Sequence, residues 1–214
     1  MKKINLVVGM LAVLFVQNVS AQTADNNDTN EASHILDVNV PEVALIDIYD
    51  GNELDEAANI LFDMTDVTKV SVNAEAGLYA FEDMSYENLY INYTSVVGAA
   101  SGGFDASRQI NVQFEAGSTF PANLDLRIKP ESHVIVADGG TVDSKGAAVS
   151  SGVALGATTA IGTDALLVDS IESVYTGDGA FGVKLKYSLE QNGNFAAYQA
   201  GTYQATLLYT LTDF

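Results

Sequence analysis

The chain has 214 residues, with 28 Asp and Glu against nine Lys and Arg, and neither cysteine nor tryptophan. Its acidic field repels nucleic acid and anionic membrane surfaces. Without disulfides the fold rests on its own apolar core, which a chain of this length can bury.

Residues 1–21, MKKINLVVGMLAVLFVQNVSA, open with Lys2 and Lys3, run apolar from Leu6 to Val16 and end in Val19-Ser20-Ala21. A charged start, a short apolar middle and small residues at −3 and −1 predict a secretory signal peptide cut before Gln22. The apolar run is too short to span a bilayer, and no later stretch reaches about 18 continuous apolar residues, so no membrane span is expected in the mature chain. No cysteine follows the cut, which excludes a diacylated lipoprotein. Loss of Lys2 and Lys3 takes the net charge to near −21. Residues 22–33 are polar and acidic and predict a disordered leader, so the expected single domain covers 34–214.

From His34 the pattern changes. ILDVNV alternates, with Leu36, Val38 and Val40 on one face, and predicts a half-buried strand that Pro41 interrupts. VALIDIY continues as a second extended piece. Leu54, Ala57, Ala58 and Leu61 recur at helical spacing, so one short helix is expected near 53–62. Further strands are expected at about 67–73, 88–96, 108–115, 123–129, 132–137, 165–174, 181–190 and 202–212, most of them separated by Gly, Asn, Asp, Ser or Pro clusters. Residues 138–163, rich in Gly, Ala, Ser and Thr, predict a long loop or two small-residue strands. This rhythm points to an all-β fold: an antiparallel, Ig-like β-sandwich with Greek-key-type connections.

FGVKLKYSL gives the clearest phase. Phe181, Val183, Leu185, Tyr187 and Leu189 share the core face, and Lys184, Lys186 and Ser188 share the wet one. In the last strand Tyr203, Ala205, Leu207, Tyr209 and Leu211 form the apolar set, out of register with Phe214. A membrane barrel closing on a terminal aromatic needs the opposite phase. The link 191–201 allows a hairpin or a crossing between sheets, and adjacent antiparallel pairing of the last two strands is expected. The other expected core residues are Ile91, Tyr93, Ile110, Val112, Phe114, Leu124, Leu126 and Ile128.

Motifs for chemistry are sparse. Two distant histidines, His34 and His133, exclude a zinc site in a chain without cysteine. No G-x-S-x-G turn and no phosphate-binding loop is present. With 28 carboxylates, no single pair stands out as a glycosidase pair. A non-enzymatic protein without a cofactor is expected. Oxygen-rich turns make Asp138, Asp143 and Asp178 candidate calcium ligands. In SYENLYINYTS, Tyr86 and Tyr90 are candidate ligand-binding residues; Tyr90 falls out of phase with Leu89, Ile91 and Tyr93 and is read as outward-facing. Asp169-Ser170-Ile171 fits a short acidic-Ser/Thr-apolar pattern of bacterial O-glycosylation, which makes Ser170 a candidate modification site.

AGTYQATLLYTLTD (200–213) resembles the end of WxL surface domains, with Tyr209-Thr210-Leu211 in place of Trp-x-Leu. The same stretch resembles the last strand of chaperone–usher pilins, with Gly201 in the place of their strand-opening glycine. A broader resemblance, in chain order, rests on VPEVALIDI (40–48), LYINYTS (89–95), RQINV (108–112), FPANLDLRI (120–128), VYTGDG (174–179) and LKYSL (185–189). It is to small secreted proteins of unknown function from Gram-negative bacteria. These resemblances imply one secreted β-domain without a catalytic role. The expected function is an exported structural or adhesive component of the bacterial cell surface or periplasm. Its expected partners are a cell-surface protein, a polysaccharide or other copies of itself. A glycan- or calcium-binding module and a pilin-like polymerising subunit are the alternatives.

Overall fold

The computed structural model describes residues 33–51, 59–63, 84–98, 105–134, 144–156, 163–193 and 199–213. It divides the chain into two units, Met1–Asn39 and Val40–Phe214. The expected signal peptide, nearly all of the leader and the strand near 67–73 lie outside the described residues. So does most of the expected helix; its described part, from residue 59 onward, is not helical.

The second unit is all-β and sandwich-like, and every strand pairing is antiparallel. One sheet has the order β1 (Val43–Asp50), β2 (Ser85–Val96), β9 (Gly182–Gln191), β4 (Leu124–Val134) and β6 (Val153–Gly156), with β8 (Val174–Tyr175) pairing with the end of β2. The other has the order β10 (Leu207–Asp213), β3 (Arg108–Phe114), β7 (Ala165–Ile171) and β5 (Ala147–Ala148). From β2 to β8 the chain changes sheet at every step, so most neighbours within a sheet are distant in sequence.

The alternating faces meet in one core. Val183, Leu185, Tyr187 and Leu189 of β9 are buried with Leu89, Ile91 and Tyr93 of β2, Leu124, Leu126 and Ile128 of β4, and Ile110, Val112 and Phe114 of β3. Strand β9 lies between β2 and β4, so neither of its edges meets water. Its first residue, Gly182, has φ of 72°, and a Cβ there would sit 2.0 Å from the carbonyl oxygen of Ile91. Only glycine allows β9 to start that close to β2.

Several expectations need correction. The two strands expected at 123–129 and 132–137 are one strand, β4, in its described part. Its register shifts between Pro130 and His133, where a bulge accommodates a residue with no N–H to donate. The small-residue region takes the second of its two expected forms, as the strands β5 and β6, one in each sheet. Strands β9 and β10 do not pair; they belong to different sheets, and the link between them crosses over. Tyr203 precedes β10, is not in a strand and is exposed. Residues 34–40 form no strand, and Leu36, Val38 and Val40, expected in the core, are 78, 74 and 73% exposed. Alternation prepares a segment for a sheet, but burial requires a neighbour to pair with.

Candidate functional site

Three polar links tie the sheets together from inside. Arg108, at the start of β3, is buried. Its Nη1 donates to the carbonyl oxygens of Val43 (2.7 Å) and Val96 (2.9 Å) on the opposite sheet, and its Nη2 lies 4.0 Å from the Glu42 carboxylate. The hydroxyls of Tyr187 on β9 and Tyr209 on β10 bond to each other, and burial pushes both phenols up. Tyr93 of β2 donates its hydroxyl proton to the carbonyl of Lys145, just before β5. Its oxygen also lies 2.7 Å from Nε2 of His133 on β4. With that proton committed, Nε2 carries the ring proton and donates to Tyr93. The His133 pKa falls to about 4, because burial and then the Lys145 charge disfavour the imidazolium. These groups satisfy one another within the core. Their geometry is that of cross-braces, and nothing in the sequence paired them, because each pair spans separate strands.

The outward face of the six-stranded sheet is different. Tyr49 on β1, Tyr90 on β2 and Lys184 on β9 stand in one cross-strand row, since Tyr49 pairs with Tyr90 and Tyr90 with Lys184. The two phenol rings are 6.3 Å apart and tilted by 49°. Lys184 lies 3.6 Å from Glu131 and 4.0 Å from Glu87, and Lys186 is hydrogen-bonded to Glu87. That hydrogen bond and charge hold the Glu87 carboxyl below its ordinary value and raise Lys186. Arg127 pairs with Glu190 farther along β4 and β9, and Lys129 stands opposite Lys186. Four of the nine Lys and Arg residues therefore share one face with a similar number of carboxylates. It is a near-neutral strip on a strongly acidic protein. Beside it, Nδ2 of Asn92 donates to the carbonyl of Gly179 (2.9 Å) and ties down the loop between β8 and β9.

The sequence candidates are scattered over this frame. Tyr90 is half-buried on the outward face, as its phase implied. Tyr86 is half-buried against the core and donates to Asp50 at 2.6 Å. Asp178 is exposed in the β8–β9 loop, while Asp138 and Asp143 lie outside the described residues. No group of three or more His, Asp or Glu side chains is placed to hold a metal among the described residues. Ser170 is exposed at an irregularity in β7, with φ of 56°, and its N–H donates to its neighbour Asp169 (2.8 Å). Sequence reading missed Tyr49 and the Lys184–Glu87–Glu131 cluster. The usable signal was the alternation of VALIDIY, which sets Tyr49 out of phase with Ile46 and Ile48.

The fold and this face define an all-β, two-sheet antiparallel protein with a mixed-charge and tyrosine surface on its six-stranded sheet. Among the described residues no helix is long and apolar enough to cross a membrane. Compared with protein-family models, curated proteins and solved structures, the chain matches none.

Proposed function

We propose that this is an exported, non-enzymatic structural or adhesive protein of the bacterial cell surface or periplasm, and that its outward tyrosine face contacts a polysaccharide. The observation that carries the reading is the Tyr49–Tyr90–Lys184 row. Phenol rings offer apolar faces to the C–H groups of a sugar, and the adjacent Lys and Glu side chains supply donors and acceptors for its hydroxyls. On this strip Lys184, Lys186 and Arg127 offset Glu87, Glu131 and Glu190, so an acidic glycan meets little net repulsion there. The N-terminal signal sequence supports export.

Calorimetry of the purified protein against a panel of envelope polysaccharides tests the reading. Binding is expected with at least one of them, weakened about tenfold by Tyr90→Ala, a loss of about 1.4 kcal/mol. Thermal stability should change little, because Tyr90 lies on the wet face. Absence of heat with every polysaccharide, or binding indifferent to Tyr90 and Lys184, overturns it.

A further inference from the structure

Strand β7 carries a bulge near its end. Its register with β3 pairs Val168 with Ile110 and Ile171 with Arg108. Two residues, Asp169 and Ser170, therefore stand opposite the single residue Gln109. Ser170 has φ of 56°. That left-handed region is costly for a residue with a Cβ, and glycine enters it freely. Such outliers collect at functional positions.

The surroundings fix the bulge. Val168 and Ile171, on either side, are 0% exposed. Ala147 of β5 pairs with Asp169, and the N–H of Glu172 donates to the carbonyl of Ser144 (2.9 Å). The Asp169 carboxylate accepts the N–H of Ser170 (2.8 Å). The Ser170 side chain is exposed, and no described residue bonds to its hydroxyl.

A neighbouring serine provides the contrast. Glu172-Ser173-Val174 repeats the acidic-Ser-apolar pattern of Asp169-Ser170-Ile171. There the hydroxyl is engaged: it accepts the N–H of Val97 (3.0 Å) and lies 3.5 Å from the Val97 carbonyl oxygen. Of these two hydroxyls the fold leaves that of Ser170 free. Charge decides what it can carry. Asp169 and Glu172 flank it in a chain with 28 carboxylates. A phosphate would set further negative charge beside them and be repelled. A neutral sugar adds none.

We propose that Ser170 is an O-glycosylation site and that the bulge presents the acceptor hydroxyl. Ser170 Oγ attacks the anomeric carbon of a glycosyl diphosphate. The C1–Oγ bond forms, and the bond from C1 to the phosphate oxygen breaks with its electron pair on the departing diphosphate. The serine proton passes to a base of the transferring enzyme. Asp169 holds the serine backbone, and buried Ile171 anchors the strand beside it. The site lies on the four-stranded sheet, so an attached sugar leaves the tyrosine face of the other sheet open. The proposal is independent of what that face binds.

The full chain is produced in its own host, purified after export and weighed intact by mass spectrometry. Its mass should exceed that of the mature sequence by whole sugar residues. Fragmentation that preserves the glycosidic bond should place them on Ser170. Ser170→Ala should remove the added mass, and Ser173→Ala should leave it. Both variants replace exposed side chains, and a cooperative melt shows that folding is intact. A chain lacking residues 2–21, held in the cytoplasm, identifies the donor. Sugar on that chain means a nucleoside-diphosphate sugar, and sugar on the exported chain alone means a lipid-linked one; either result supports the site. An unmodified mass, a phosphate in place of sugar, or sugar found only at Ser173 or elsewhere overturns the proposal.

Discussion

Strand β9 and residues 34–40 share a two-residue alternation and meet opposite fates. In β9, Leu185 is 0% exposed, and β2 and β4 pair with its two edges. In the upstream stretch Leu36 is 78% exposed and no strand is formed. The difference is not in side-chain pattern. It lies in whether a partner strand supplies backbone hydrogen bonds and a second apolar layer, because a single strand in water gains neither. A pattern therefore states which face a segment would bury, and the neighbours decide whether burial occurs.

The sharpest way to break that contrast is Leu185→Asp. An unpaired carboxylate in the centre of the core costs about 4 kcal/mol or more, enough to unfold a domain of ordinary stability. Circular dichroism should show loss of the cooperative melt; a retained melting temperature would mean that β9 is out of phase with this description.

A smaller effect is expected at His133, which pairs with Val183 of β9. Its folded pKa of about 4 lies below the ordinary 6.5, so the unfolded chain takes up a proton first as pH falls. The stability it contributes is complete above about pH 6.5 and is lost on the way down to about pH 4, a change of about 3 kcal/mol. Urea unfolding at pH 7.5 and 4.5 measures it. The loss at pH 4.5 should shrink in His133→Gln, and an equal pH dependence in both proteins would count against a buried neutral ring.

The smallest effect belongs to the exposed stretch. Leu36→Asp should change the stability of dilute protein by less than about 0.5 kcal/mol, as at any surface site without a partner. A loss comparable with that at Leu185 would place Leu36 in a core after all.

Much of the frame was legible in the sequence. The faces of β2, β3, β4 and β9 were read from alternation, and so was the outward position of Tyr90. What failed was pairing. The link 191–201 is compatible with a hairpin or a crossing, and only the placement of β10 beside β3 decides for the crossing. Tyr86 carries no local sign that Asp50 will accept its hydroxyl proton, because the two residues meet only through the β1–β2 pairing. The candidate face was half visible for the same reason. Lys184 and Lys186 were evidently wet, but Glu87, Glu131 and Tyr49 come from three other strands.

By itself the sequence determined the class of fold, the phase of most strands and the export signature, because these depend on local periodicity and on residues close together in the chain. The tertiary structure alone decided which strands became neighbours. That choice set the cross-braces at Arg108, Tyr93 and Tyr187 and the near-neutral tyrosine face. Such features require groups distant in sequence to come within hydrogen-bonding or van der Waals reach, and a local pattern does not encode that separation.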